Sequence, residues 1–267
     1  MKLRSVSLLV LALCSQIPSR ALAADTPPDG HATAPSDAHL RGLELLLRPG
    51  LGSAPGTSPV RFEPSPTVRT VGDPGALLGG ASPYGTGFVG QVFLGYRFHP
   101  VISGGLRAGM RTSSASALAD GSTDLERTSW DAGFYVRGYP LAMTESVRKY
   151  IDPWISVGVG YTRDMQSFKR GVPTATGGSV NADWLLDHHA VVVPIGIGID
   201  YRILPMLSVG PSFEYALASG IAGCAKQSAP GYSTSNLCSN EEPGKSVIRA
   251  NGYGVWSAGL DLRLTLF

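Results

Sequence analysis

The sequence predicts an all-β protein, an eight-stranded antiparallel up-and-down transmembrane β-barrel, and three observations favour this fold class. In the last seventeen residues, 251–267, apolar and polar side chains alternate, as in Leu260-Asp261-Leu262-Arg263. Such alternation indicates a strand, and this one exceeds the roughly 5–6 residues of a soluble strand and reaches the roughly 9–11 that cross a bilayer. Glycine accounts for 34 of 267 residues, against a typical share of about 7%. No apolar run approaches the ~18 residues of a spanning helix.

The chain begins with a segment typical of a secretory signal peptide, residues 1–23. Two basic residues open it, an apolar run follows, and a small-x-small cleavage motif ends it. A lipoprotein acylated at Cys14 is the alternative, disfavoured because Leu13 is bulky where a small residue is wanted. Residues 24–39 are rich in Pro, Asp and Ala without periodicity, which predicts a flexible periplasmic leader before a barrel over 40–267.

Removal of the signal peptide changes the charge and the cysteine count. Lys+Arg falls from 22 to 19 while Asp+Glu stays at 20, so the mature net charge is −1 rather than +2. No basic surface remains to favour nucleic acid as a partner. Cys224 and Cys238 survive, both in the segment 218–246, and they are predicted to form a disulfide in the oxidising compartment.

Alternation of apolar and polar residues predicts eight strands in chain order. They are expected over residues 40–48, 87–98, 101–112, 128–139, 154–164, 189–203, 207–217 and 251–267. Pro194 and Pro211 lie inside strands, where each removes a ladder donor, so bulges or local breaks are expected there.

The connections between these strands alternate in length: long, short, long, moderate, long, short, long. Outer-membrane barrels have short periplasmic turns, longer extracellular loops and both termini inside. The four long connections, including 113–127, 165–187 and 218–246, therefore fall on the same predicted outer side.

The chain resembles the small eight-stranded outer-membrane barrels of Gram-negative bacteria, of the OmpA, OmpX and opacity-protein type. The resemblance covers the mature chain, through Gly-Tyr-Arg-Phe-His-Pro at the first inner turn (95–100) and the terminal Phe267. It implies outer-membrane localisation, extracellular loops, periplasmic termini, contact with lipid and lipopolysaccharide, and recognition of the C-terminal strand by the barrel-assembly machinery. Phe267 is out of phase with the apolar face, so the strand contains a bulge near its end or carries a variant assembly signal.

Charged residues of the polar faces are predicted to point into the barrel, because an arginine at the bilayer midplane costs about 2–4 kcal/mol. This expected interior network consists of Glu44, Arg48, Arg97, Arg107, Arg111, Asp131, Arg137, Asp200, Arg202, Glu214, Asp261 and Arg263. Eight strands enclose just enough space for their own side chains. Ion pairs and water should therefore fill the lumen, with a gated channel as the alternative.

Two expectations concern the lipid-facing surface. Its aromatic residues should form two belts, an outer one of Phe88, Trp130, Tyr161 and Tyr215 and an inner one of Tyr96, Phe98 and Tyr201. Arg163 continues the lipid-facing phase of Tyr161. We expect it just above the outer belt, with its guanidinium reaching lipopolysaccharide phosphates or water.

The sequence predicts no catalytic, cofactor-binding or metal-binding residue. His188 and His189 lie near Asp183 and Asp187, a set that could position a base or a metal, but neither a serine partner nor a third ligand is evident. The favoured hypothesis is a non-enzymatic barrel with a structural role or with surface loops that recognise an unknown ligand. A lipid-modifying outer-membrane enzyme and a small channel are the alternatives. A secreted soluble barrel with an internal ligand is disfavoured, because its apolar face would lie bare in water.

Overall fold

A computed structural model describes residues 41–53, 60–62, 86–117, 123–142, 150–173, 177–230, 235–238, 248–250 and 252–266. The predicted signal peptide, the leader and Phe267 lie outside these residues, as does most of the first long connection. Among the described residues, no helix is long and apolar enough to cross a membrane.

Eight long antiparallel strands close into a ring within the described part of the chain. They are β1 (Gly42–Ser53), β3 (Gly87–His99), β4 (Ile102–Ala117), β5 (Thr123–Gly138), β6 (Ile151–Pro173), β7 (Ser179–Arg202), β8 (Leu207–Ser228) and β11 (Tyr253–Leu266). Each long strand pairs with the next, and β11 pairs with both β8 and β1. The predicted eight-stranded antiparallel up-and-down barrel is confirmed, and the resemblance stated above holds at the level of the fold.

The two faces of the wall differ in polarity as the alternation predicts. On β6, Ile155, Val157 and Val159 are 58%, 51% and 51% exposed on the outside, whereas Thr162 is buried inside. Large exposed apolar side chains occur on every long strand of the ring. Such a continuous apolar surface is costly in water and is solvated by hydrocarbon in a transmembrane barrel.

Several strands are longer than predicted, at the end of the barrel away from the first residue of β1 and the last of β11. The described residues of the segments 113–127, 165–187 and 218–246, which the sequence predicts to be loops, are largely strand: β4 continues to Ala117, β6 to Pro173 and β8 to Ser228. Beyond the apolar band the two faces become mixed. Phe168 and Trp184 are buried and Lys169 and Asp183 are exposed, but Gln166 is also buried and Leu185 is also exposed. We call residues 123–127, 163–173, 179–189, 219–228 and 235–238 the distal extension.

The two prolines interrupt strand pairing without shifting the register. Pairing of β7 with β6 lapses beside Pro194, and pairing of β8 with β7 lapses beside Pro211, while the register on either side is the same. Local breaks are therefore found rather than bulges. The register shift on β7 lies instead between His189 and Ala190.

Three short strands lie at the distal end: β2 (Val60–Phe62), β9 (Ser235–Cys238) and β10 (Ile248–Ala250). β10 pairs with β2, and β9 pairs with residues near the end of β8. Cys224 and Cys238 stand opposite each other in that register and form a disulfide, with their Cα atoms 4.1 Å apart. Cys224 thus lies in a strand rather than in the loop expected from the sequence.

Candidate functional site

The interior of the barrel is lined by charged side chains, and eleven of the twelve expected residues turn inward. Ten are buried, and the side chain of Arg111 is 13% exposed. Arg202 is the exception, because it ends β7 at the turn into β8 and is only half-buried. Its backbone N–H donates to the carbonyl of Tyr150.

Three further charged residues complete this network, and the sequence pattern does not single them out. Arg127 and Asp164 form an ion pair inside the barrel, and Asp152 accepts hydrogen bonds at the opposite end of the lumen. The pattern assigns Arg127 and Asp152 to connections, whereas Asp164 shares the inward parity of Thr162 and could have been found from it. The described interior then holds seven arginines and seven carboxylates, so its formal charges balance.

The central layer joins opposite walls of the barrel. Glu214 on β8 accepts hydrogen bonds from Arg107 on β4, with N–O distances of 3.0 Å, and from Arg48 on β1 at 3.3 Å. In a ring of eight strands, β4 and β8 are diametrically opposite. Arg107 also donates to Asp131 at 2.9 Å. These bonds therefore cross the full width of the lumen.

A second layer occupies the end of the lumen near the termini of the barrel. Asp152 accepts hydrogen bonds from Arg97 at 2.8 Å and from Arg263 at 3.1 Å. Arg263 also donates to the hydroxyl of Tyr139 at 2.8 Å and lies 3.3 Å from Asp200. Four elements of the barrel are thus tied together at this level.

Aromatic rings pack against arginines inside the lumen. Arg137 lies 4.0 Å from the ring centre of Trp154, and Arg97 lies 3.7 Å from that of Tyr139. Desolvated cation–π contacts of this kind are worth about 2 kcal/mol. The two belts predicted from the sequence do not include these inward rings; the inward parity of Phe93 and Trp154 is the signal that could have revealed them. Rings and ion pairs together occupy the lumen.

A polar cluster lies on the outside of the wall, directly beyond the apolar band. Arg163 on β6 donates to Asp187 on β7 through Nε at 2.9 Å and Nη2 at 2.7 Å. This hydrogen bond holds the pKa of the Asp187 carboxyl below its ordinary value. The sequence pattern places Arg163 on this face but predicts lipid phosphate or water, and not Asp187, as its partner.

The same cluster includes one of the two adjacent histidines. His189 contacts the hydroxyl of Tyr161 through Nδ1, and its Nε2 lies 3.5 Å from Asp187. His188 points the other way, into the lumen, where its ring lies 5.4 Å from that of Tyr253. The barrel wall therefore separates the two histidines. Among the described residues, no group of three His, Cys, Asp or Glu side chains could hold a metal ion.

Aromatic residues of the lipid-facing surface meet in pairs. The rings of Trp130 and Tyr161 are 5.5 Å apart, and those of Tyr96 and Phe98 are 5.3 Å apart. The arrangement of all seven residues in two belts stays a prediction.

The distal extension contains an apolar core and a cavity. The rings of Phe168 and Trp184 stack with their centres 6.2 Å apart, and Leu125 and Leu186 are buried in the same extension. A cavity of about 750 Å³ opens among the ends of β4 to β8. Its lining combines these apolar groups with charged ones and includes Leu125, Phe168, Trp184, Asp124, Lys169, Asp183 and Lys226.

Comparisons with known proteins find likeness in structure. No family model matches the chain, and no curated protein matches it in sequence. A major outer membrane protein of Thermus thermophilus is similar at 12% identity and a TM-score of 0.47, covering 83% of this chain and 99% of that one. OprG, an outer membrane protein of Pseudomonas aeruginosa, is similar at 13% identity and a TM-score of 0.46, covering 85% and 98%. Neisserial surface protein A is similar at 9% identity and a TM-score of 0.41, covering 83% and 97%. The fold assignment above rests on the strand pairing of this chain itself.

Proposed function

We propose that the protein is a non-enzymatic barrel of a Gram-negative outer membrane, which keeps its lumen closed and uses its distal end for surface recognition or adhesion. The distal extension carries this proposal. Strands that only needed to cross the bilayer would end where the apolar band ends, but β6, β7 and β8 continue well beyond it.

The distal extension has the features of a rigid scaffold. Stacked Phe168 and Trp184 give it an internal core, and the Cys224–Cys238 disulfide fixes β9 to β8. Recognition by loops works best on such a scaffold, because the contact surface is then ordered before the ligand arrives. The ligand itself is a molecule of the cell exterior, of unknown identity.

The orientation follows from the lengths of the connections. The turn 203–206 between β7 and β8 is short, whereas the two longest connections between long strands, 54–86 and 229–252, both belong to the distal end. By the rule for outer-membrane barrels, the distal end is extracellular and both termini are periplasmic. In this orientation the wall contacts outer-membrane lipid and lipopolysaccharide. The C-terminal strand β11 is the element that the barrel-assembly machinery would read, and nucleic acid is not a partner.

The lumen is proposed to be closed, because the bonds of Glu214 with Arg107 cross it between opposite strands. Purified barrel in a planar bilayer should show no steady single-channel conductance. Heat-modifiable migration on a gel, measured on the same preparation, reports that the barrel is folded. Steady conductance from folded protein would replace this proposal with the small-channel alternative.

Recognition is tested by shortening the distal extension. Full-length protein is displayed on a heterologous Gram-negative host and exposed to arrays of immobilised glycans and matrix proteins. Replacing residues 169–183 with a two-residue turn should abolish the strongest array signal, while replacing the short turn 203–206 with Gly and Ser should not. Equal binding by both variants contradicts the proposal.

The enzyme alternative is tested on lipid A extracted from the same host. Lipid A should keep its mass, and a mass change that is lost in His189→Gln would favour the lipid-modifying enzyme.

A further inference from the structure

The outward residues of β6 and β7 show where the polar cluster lies relative to the apolar band. On β6, exposed Ile155, Val157 and Val159 lead to Tyr161, and Arg163 is the next outward residue. On β7, the outward series of apolar residues ends at Val191 and His189 follows. Arg163 and His189 face each other in the register. On these two strands they are therefore the first groups able to carry a positive charge beyond the apolar band, at the level where lipid phosphates lie.

The hydrogen-bonding atoms of the cluster are ordered but accessible. The side chains of Arg163, Asp187 and His189 are 37%, 23% and 31% exposed. Asp187 holds the guanidinium through Nε and Nη2, which leaves Nη1 for a further acceptor. Guanidinium groups bind phosphate through directed N–H bonds in a planar fork.

Two aromatic rings lie beside the polar cluster. Tyr161 contacts the Nδ1 atom of His189, and Trp130 packs against Tyr161 from β5. Tyrosine and tryptophan favour the membrane interface because one edge is apolar and the other donates a hydrogen bond. The cluster therefore presents a guanidinium and a phenol–imidazole pair to the same lipid headgroup.

We propose that Arg163, Tyr161 and His189 form a binding site for the phosphate of a phosphorylated lipid in the outer leaflet. This inference rests on the proposed outer-membrane location and orientation. Asp187 neutralises one charge of the cluster, so the site selects phosphate by directed hydrogen bonds rather than by excess positive charge. Asp187 acts as a positioning residue that fixes the plane of the guanidinium.

Lipid binding is measured by native mass spectrometry of the full-length barrel in detergent micelles. The probes are diphosphoryl lipid A, phosphatidylcholine and inorganic phosphate, each titrated separately. Lipid A should be retained, and Arg163→Gln should lower its affinity about tenfold, the loss expected for a charge-assisted hydrogen bond. Arg163→Lys keeps the charge but lacks the planar guanidinium, so its lipid A affinity should lie between that of the parent protein and that of Arg163→Gln.

The control is Arg41→Gln, which removes an exposed arginine at the opposite end of the barrel. It should leave lipid A affinity unchanged, and heat-modifiability should be normal in every variant. Equal affinities of wild type and Arg163→Gln overturn the proposal, as does an equal loss in Arg41→Gln. Retention of inorganic phosphate without lipid A would identify a free-anion site instead. Because the host-display assay changes residues 169–183 and the lipid assay changes Arg163, recognition and lipid binding can fail separately.

Discussion

Arg48 and Asp261 join the first and last strands of the barrel through two hydrogen bonds inside the lumen. Nε of Arg48 lies 2.5 Å from Oδ1 of Asp261, and Nη2 lies 3.0 Å from Oδ2, although 213 residues separate them in sequence. Their side chains are 3% and 0% exposed. Ser212 of β8 donates to the same carboxylate at 2.7 Å. The seam where the ring closes is therefore held by a buried ion pair.

Breaking this pair from one side should destabilise the folded barrel strongly. Asp261→Asn or Arg48→Met each unbalances the buried network by one charge, although Arg48 keeps Glu214 at 3.3 Å and Asp261 keeps Arg137 at 3.6 Å. Breaking a buried pair from one side costs roughly 3–5 kcal/mol. The double variant should lose less than the sum of the two single changes, because neither charge is then stranded. The midpoint of urea unfolding in lipid vesicles, followed by gel mobility, measures each effect.

The matched control is Lys169→Met, which breaks the exposed ion pair with Asp124 and should leave the midpoint unchanged. Strictly additive losses for Arg48 and Asp261 would show that the two side chains do not act as a pair.

The number of strands and the direction of their side chains could be predicted from the sequence, because a membrane barrel imposes opposite solvents on its two faces. Leu43, Glu44 and Leu45 alternate out, in and out, as the period of two requires. The extent of the strands could not be predicted in the same way. Beyond the apolar band the exposed side chains include Lys169 and Asp183, so these segments resemble loops in sequence.

The interior network was only partly predictable for a related reason. Alternation indicates which residues face the lumen, but it does not indicate which residues pair across it. Arg107 and Glu214 are 107 positions apart and meet because their strands are opposite in the ring. The outer-wall pair of Arg163 and Asp187 depends on the same register information, since the sequence pattern assigns Asp187 to a loop.

Gly198 provides room for the indole of Trp154 inside the barrel. A Cβ atom at position 198 would lie 2.6 Å from Cε2 of Trp154 and 2.9 Å from the carbonyl oxygen of Pro211. Gly198→Ala should therefore lower the free energy of unfolding by about 1–3 kcal/mol, the range for overpacked interiors. Gly138→Ala is the control, because its added Cβ would meet atoms only at 3.8 and 4.0 Å. Equal urea midpoints for the two variants would contradict this account.

The Cys224–Cys238 disulfide should order the distal end without holding the barrel together. It closes a loop with a sequence separation of 14, so its removal should ease detachment of β9 by roughly 3 kcal/mol on the chain-entropy estimate. Replacing both cysteines with alanine should make residues near β9 sensitive to protease added outside vesicles. The urea midpoint of the barrel should stay the same. Unchanged proteolysis, or free thiols in non-reducing mass spectrometry of the parent protein, would refute this prediction.

The pairing of Arg163 with Asp187 makes a prediction about pH. The hydrogen bond from Arg163 lowers the pKa of Asp187 in the folded protein, so the contribution of the pair is present above the ordinary aspartate value of about 3.9. It is lost as the pH falls through the lower, folded value. In Arg163→Gln the pKa of Asp187 should rise toward the ordinary range, because the hydrogen bond that favours the carboxylate is gone.

Carboxyl ¹³C shifts of labelled protein in nanodiscs report this titration directly. Arg41→Gln, which changes an arginine at the far end of the barrel, should leave the Asp187 curve where it is. If the Asp187 curve is the same in Arg163→Gln and in the parent protein, the pair does not set the protonation of the cluster, and Asp187 has no role in orienting the guanidinium.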